Sequence, residues 1–263
     1  MGTATVSTAP GWHVDTVLRL GDDALILGQR LGEWAGHGPV LEEDLAMANI
    51  GLDLIGQARM LLTHAGALEG AGRDEDQLAY FRDAAQYRNH SLIELPNGVG
   101  KHDDYAITIV RNLLFSALMV PMWQALRGSG DTELGAIASK AIKESTGHWR
   151  HARDWVIRFG DGTPESHRRA QQALDRLWPY TNEFWQDDDT DRAAADAGVA
   201  PLPSSLRDAW HAQIDPVLAE ATLERPADSP FVSHGRAGRH TEYLDYVLAE
   251  MQSIARAHPG ARW

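Results

Sequence analysis

The chain contains no cysteine. That absence removes disulfides, thiolate metal sites, Fe–S clusters and a cysteine nucleophile from consideration. Positive charge is also scarce: 24 Lys and Arg stand against 37 Asp and Glu, a formal net charge of −13. A non-specific nucleic-acid binder needs clustered Lys and Arg to neutralise phosphates, so that class is excluded. No uninterrupted apolar run approaches the length of a membrane span. Met1 to Trp12 lack the basic start and apolar stretch of a signal peptide. The expected location is the cytoplasm, with neither membrane nor nucleic acid as partner. What remains is ordinary globular composition, 43% apolar and 23% charged over 263 residues, enough to bury a substantial core.

Apolar residues recur at helical steps through most of the chain. Val17, Leu20, Ala24, Leu27, Leu31 and Trp34 predict a helix over about 14–34, ended by Gly36, Gly38 and Pro39. A second opens at Leu41, with Glu42, Glu43 and Asp44 at the positive end of its dipole, and runs to about Ala67. A shorter helix is expected over Asp74–Asn89, then a turn at Leu95–Gly98. Asp103–Arg127 is the most apolar segment, and Pro121 inside it predicts a kink or an early end. The fifth helix spans Asp131–Phe159. Thr163, Pro164 and Glu165 read as cap, first position and dipole-compatible acid of a sixth that ends near Trp178. Asp187–Asp191 reads as a solvated acidic stretch, followed by helices over about 204–223 and 240–257. No strand alternation, fixed repeat or long linker is visible. The fold class is therefore all-α, with residues 1–12 as a flexible tail and 13–263 as a single domain. Four long helices form its core and shorter ones are appended.

Polar residues interrupt the apolar stripes. In the fifth helix the stripe Leu134, Ile137, Ala141 continues as Glu144 and His148 before Ala152 and Trp155, all at steps of three and four. Asp53 lies beside the stripe of the second helix, and Asp22 and Asp23 beside that of the first. Burying a carboxylate is costly unless it is paired, hydrogen-bonded or metal-bound. Acids and histidines projecting inward from several helices are how carboxylate-bridged di-iron bundles are built, with Glu-x-x-His on two of them. Measured against that template the set is incomplete. Glu-x-x-His from Glu144 lands on Gly147, the same step from Asp53 lands on Gly56, and the fourth helix offers Ser116 and no acid after Asp104. The plainer reading pairs these acids with Arg30, Arg59, Arg111 or His148 as links that fix helix register. His148 and His151 read as facing different ways, and the remaining histidines scatter. Nine tryptophans are many for this size. Trp178, Trp185, Trp210 and Trp263 fall near helix ends, where core packing competes with partner contact. There is no Gly-x-Ser-x-Gly elbow and no strand before Gly98-Val99-Gly100, so serine hydrolase and phosphate-loop readings fail.

Four segments carry a resemblance. They are LRLGDDALILGQRL at 18–31, NIGLDLIGQAR at 49–59, and RDW at 153–155 with GDGT at 160–163 and LWPY at 177–180. The fourth is GR at 235–236 with GRHTE at 238–242 and the closing Pro259, Gly260 and Trp263. From about residue 14 onward the chain resembles the PaaC-type subunit of ring-1,2-phenylacetyl-CoA epoxidase, a multicomponent monooxygenase. The resemblance implies a ferritin-like four-helix bundle with additional C-terminal helices. It implies no catalytic, cofactor-binding or metal residue in this chain, with Asp23, Asp53, Glu144 and His148 as vestigial di-iron-like positions. It also implies an iron-bearing, PaaA-type catalytic subunit as tight partner and a small bridging subunit. A flavin and Fe–S reductase would act indirectly. The leading expectation is a scaffold. Two alternatives stay open: a di-iron oxygenase using Asp23, Asp53, Glu144 and His148 on an aromatic CoA thioester, and a CoA-ester-binding module using Arg225, Arg236, Arg239 and His240.

Overall fold

A computed structural model gives the protein's structure over residues 8–99 and 102–261. Its helices are α1 (Gly11–Gly32), α2 (Leu41–Glu69), α3 (Glu75–Tyr80), α4 (Ser91–Glu94), α5 (Tyr105–Leu126) and α6 (Thr132–Gly160). They continue as α7 (Pro164–Leu177), α8 (Asp189–Asp196), α9 (Arg207–Glu220), α10 (Glu242–Met251) and α11 (Ser253–Ala257). The 3-10 turns Ala84–Gln86, Trp178–Trp185, Pro203–Leu206 and Gly235–Ala237 join them. A two-residue antiparallel ladder, β1 (Gly98–Val99) with β2 (His102–Asp103), stands where only a turn was expected.

The long helices pair as α1 with α2 and α5 with α6, and α2 also meets α6. The α1–α2 contact is close because glycines face each other. A Cβ on Gly28 would lie 3.0 Å from Ile55 Cδ1 and 3.2 Å from the Gly51 carbonyl oxygen. The expected tail is shorter than twelve residues: α1 begins at Gly11, and the Ala9 N–H donates to Leu68 O at 3.0 Å. Residues 1–7 of that tail, and Trp263, lie outside the described residues.

α5 is the most apolar helix and largely buried, with Trp123 and Leu126 fully so. By length and composition it could cross a membrane, yet 83% of its apolar window is packed inside the protein. Of the two expected outcomes at Pro121, a kink or an early end, the early end does not occur: the helix runs on to Leu126. Proline removes the N–H that would reach the Ala117 carbonyl, and Gln213 of α9 supplies a replacement, its Nε2 donating to Ala117 O at 2.9 Å. Trp210, one turn earlier on α9, donates its indole N–H to Leu114 O at 2.9 Å.

The appended segments are held by acids, most of them buried. Asp188 caps α8 and is ion-paired to Arg19 of α1, while Asp191 accepts from both Arg19 and Arg236. Asp188 and Asp191 therefore tie the 187–191 stretch to the core, while Asp189 between them is solvated as expected. Glu94, fully buried, accepts from Asn89 Nδ2 at 2.8 Å, His240 Nδ1 at 2.8 Å and the Thr241 N–H at 2.6 Å. Glu183 accepts from the backbone N–H groups of Ser91 and Arg236, both at 2.9 Å, and from Ser233 Oγ at 2.7 Å. Burial alone would raise its carboxyl, but the charge of nearby His90 and then those donors hold it below the usual range.

Candidate functional site

The interior between α1, α2, α5 and α6 encloses a cavity of about 20 Å³, room for a single water. His148 and Ser145 of α6, Gln57 of α2, and Asn112 and Ser116 of α5 contribute its polar wall. From α1 only Leu20, Ala24 and Leu27 reach it. Asn112 is buried, and neither its amide oxygen nor its nitrogen has a partner within the protein. A single water there would satisfy both. Trp123 is anchored beside it, its indole N–H donating to Ser145 Oγ at 3.0 Å.

The acids singled out in the sequence do not converge on this cavity. His148 Nε2 meets Asp53 Oδ2 at 3.0 Å, and Gln57 Nε2 donates to Glu144 Oε2 at 2.9 Å. The Asp53 side chain is 44% exposed, so this group lies at the α2–α6 seam, open to solvent on one side. Burial lowers the His148 pKa below its ordinary value, and the Asp53 hydrogen bond offsets this only in part. The contact is thus a neutral imidazole donating to a carboxylate. Asp23 is elsewhere, at the far side of α1. It accepts from the His90 backbone N–H at 2.7 Å and from His90 Nδ1 at 2.8 Å.

His151 does not turn away as its sequence position suggested. It joins the same seam, Nε2 donating to Glu43 Oε2 at 2.8 Å, where the Tyr105 hydroxyl also donates. Residues three apart share a helix face. Reading up α2 and down α6, the antiparallel seam carries Glu43–His151, Asp53–His148, Gln57–Glu144 and His64–Asp131 as successive polar links. Their partners are 67 to 108 residues apart, so sequence periodicity held no signal of the pairing.

The arginines expected to neutralise the acids are otherwise engaged. Arg30 donates to Glu33 and twice to the Glu94 carbonyl, and Arg59 reaches Glu75. Arg111, fully buried, bonds Leu95 O and Asn97 Oδ1, both at 2.6 Å. Burial and the nearby Arg30 push its pKa down to about 9. Asp22 pairs instead with Arg82, which the sequence had not suggested. Of the basic group near the last loop, Arg236 is held by Asp191, His240 by Glu94, and Arg225 lies near Asp215 at 3.6 Å. Trp178 and Trp210 are core, and Trp185 is half-buried.

The outer face of α2 carries a row of exposed apolar side chains. Leu41, Leu45, Leu52 and Ile55 are 72%, 55%, 69% and 39% exposed. With half-buried Ala48 between them they step by four, three, four and three, a continuous seam of the kind that receives another helix.

Comparison with known proteins gives two matches. The family described as phenylacetic acid catabolic protein matches residues 4–263. The chain is 47% identical over 246 residues to a component of the 1,2-phenylacetyl-CoA epoxidase of Escherichia coli (strain K12). That alignment covers 94% of this chain and 97% of the relative.

Proposed function

The chain belongs to the phenylacetic acid catabolic protein family, and from that membership we propose that it is the non-catalytic, structural subunit of a phenylacetyl-CoA 1,2-epoxidase. In this reading it stabilises an iron-bearing subunit that performs the ring epoxidation, a small bridging subunit joins such pairs, and a reductase feeds electrons to the iron. The all-α, ferritin-like architecture is the one expected of the family.

One observation carries the reading. A carboxylate-bridged di-iron cage takes an acid from each of its helices, whereas here α1 presents Leu20, Ala24 and Leu27 to the cavity and α5 presents Asn112 and Ser116. The donor set does not fit two irons, and Asp53, Glu144 and His148 are committed to one another and to Gln57 across the seam. The exposed leucine seam of α2 is the surface best suited to receive the catalytic partner, since obligate interfaces are the more hydrophobic ones.

The test is elemental analysis after anaerobic ferrous loading, of the chain alone and of the chain co-purified with its partner. Iron near zero alone, and about two per pair, is the expected result. Stoichiometric iron in the isolated chain would overturn the proposal and make this an oxygenase in its own right, with Glu144 and His148 as its first ligands.

A further inference from the structure

At the far end of the α2–α6 seam the polar link has three members rather than two. Asp131, the residue before α6, receives His64 Nε2 from α2 and His13 Nε2 from the first turn of α1, each at 2.7 Å from the same oxygen, Oδ2. The other carboxylate oxygen is occupied, accepting the Leu134 N–H at 3.0 Å. The Asp131 backbone N–H is fixed as well, donating to Ser129 Oγ at 3.0 Å. The carboxylate is 6% exposed, and His13 and His64 are 16% and 12% exposed. Trp12 stacks on the His13 ring, centroids 5.3 Å apart and planes 15° from parallel.

A carboxylate oxygen brings no proton, so both contacts require a hydrogen on each Nε2. Two N–H groups directed at one oxygen surround a point that a cation can occupy in their place. Among the described residues this is the group of three whose ligand atoms, two imidazole nitrogens and a carboxylate oxygen, lie within 4.8 Å of one another. Two nitrogens and one oxygen, with a further position left to water, form a recurrent donor set for zinc and its neighbours. Metal–ligand bonds of about 2.0 Å put tetrahedral ligand atoms roughly 3.3 Å apart. The two histidine–oxygen contacts therefore open by about half an ångström, a movement within reach of side-chain rotation. On binding, the proton of each neutral imidazole moves from Nε2 to Nδ1, and the freed Nε2 lone pair takes the cation with no net proton release.

We propose that His13, His64 and Asp131 form a binding site for one divalent first-row transition cation, zinc-like in preference, that staples the start of α1 to the end of α2 and the start of α6. The site uses none of Asp53, Glu144 or His148 and stands whether or not the chain is the structural subunit of an epoxidase.

Cobalt(II) is the probe, because tetrahedral nitrogen and oxygen ligation gives it an intense visible spectrum that zinc then bleaches by displacement. The full chain, stripped by a chelator, is titrated with cobalt(II) and then zinc(II), and its melting is followed with and without zinc. The expected result is one equivalent bound per chain. Free zinc at a hundred times the dissociation constant should multiply the folded-to-unfolded ratio about a hundredfold. His64→Ala abolishes both signals, and so does Asp131→Asn, which keeps an oxygen to cap Leu134 and so tests ligation without removing the cap. His148→Ala leaves both intact. Absence of a tetrahedral cobalt spectrum in the parent chain, its persistence in Asp131→Asn, or its loss in His148→Ala would each overturn the assignment.

Discussion

Truncating the exposed leucines of α2 separates docking from folding. Leu52 is 69% exposed and Leu45 55% exposed in the isolated chain, so neither side chain contributes much to its stability. Replacement by alanine should change the unfolding free energy by no more than about 0.5 kcal/mol, as for other surface sites. Against a partner the account differs. Fully burying a leucine side chain is worth about 1.5–3 kcal/mol, so covering what Leu52 now leaves exposed is worth roughly 1–2 kcal/mol. That corresponds to about a 5- to 30-fold rise in the dissociation constant for Leu52→Ala. Leu45 lies two turns away, far enough for near-additive effects, and the double variant should weaken the complex about a hundredfold. Leu52→Asp adds the cost of a buried unpaired carboxylate and should prevent co-purification. The assay is titration calorimetry against the iron-bearing subunit, beside urea unfolding of the chain alone. A double variant that binds within twofold of the parent would show that this seam is not the interface.

Other perturbations test the packing and the titrating groups. Gln213→Leu leaves the Ala117 carbonyl without a donor and should cost about 1–3 kcal/mol in urea unfolding. Pro121→Ala in that background returns the missing N–H and should recover part of the loss. Gly28→Ala places a Cβ 3.0 Å from Ile55 Cδ1 and 3.2 Å from the Gly51 oxygen, so overpacking should lower stability by about 1–3 kcal/mol. Adding Ile55→Val should relieve only the side-chain half of that clash. Two histidines should give opposite pH trends. The His240 pKa is raised because the Glu94 carboxylate outweighs the lowering effect of burial. Its contribution is full below the unfolded value near 6.5 and lost as pH rises through the folded one. The lowered His148 pKa makes its contribution full above that unfolded value and lost as pH falls. Unfolding free energy measured across this range should lose its decline toward high pH in His240→Gln and its decline toward low pH in His148→Gln. Unchanged profiles would refute both assignments.

What the sequence revealed follows the range of the interactions involved. Helices α1, α2, α5 and α6 were legible within a few residues because apolar spacing and breaking glycines act locally. So was the Thr163–Pro164 start of α7, where Thr163 Oγ1 accepts from the Ser166 N–H at 3.1 Å. Glu144 and His148 were legible as one face of one helix. Their partners were not, because Gln57 and Asp53 reach them across 87 and 95 residues. The expected helix over Asp74–Asn89 breaks after Tyr80. Its buried Arg82 turns to Asp22, 60 residues away, and periodicity carries no trace of that pull. Asp188 and Asp191 looked solvated for the same reason, since Arg19 and Arg236 lie far off in the chain.

The repair at Pro121 has a consequence for the order in which the protein can be made. A chain emerging from the ribosome completes α5 roughly ninety residues before Gln213 exists. Until α9 arrives, the Ala117 carbonyl has only water to accept from, and an unpaired carbonyl does not tolerate a dry core. The Ala117 turn of the most apolar helix therefore keeps its water for about a third of synthesis. Its drying out, rather than the pairing of α1 with α2, is the event that waits for the C-terminal third. Stopping translation before residue 213 should leave α5 open to amide exchange while α1 and α2 are already protected.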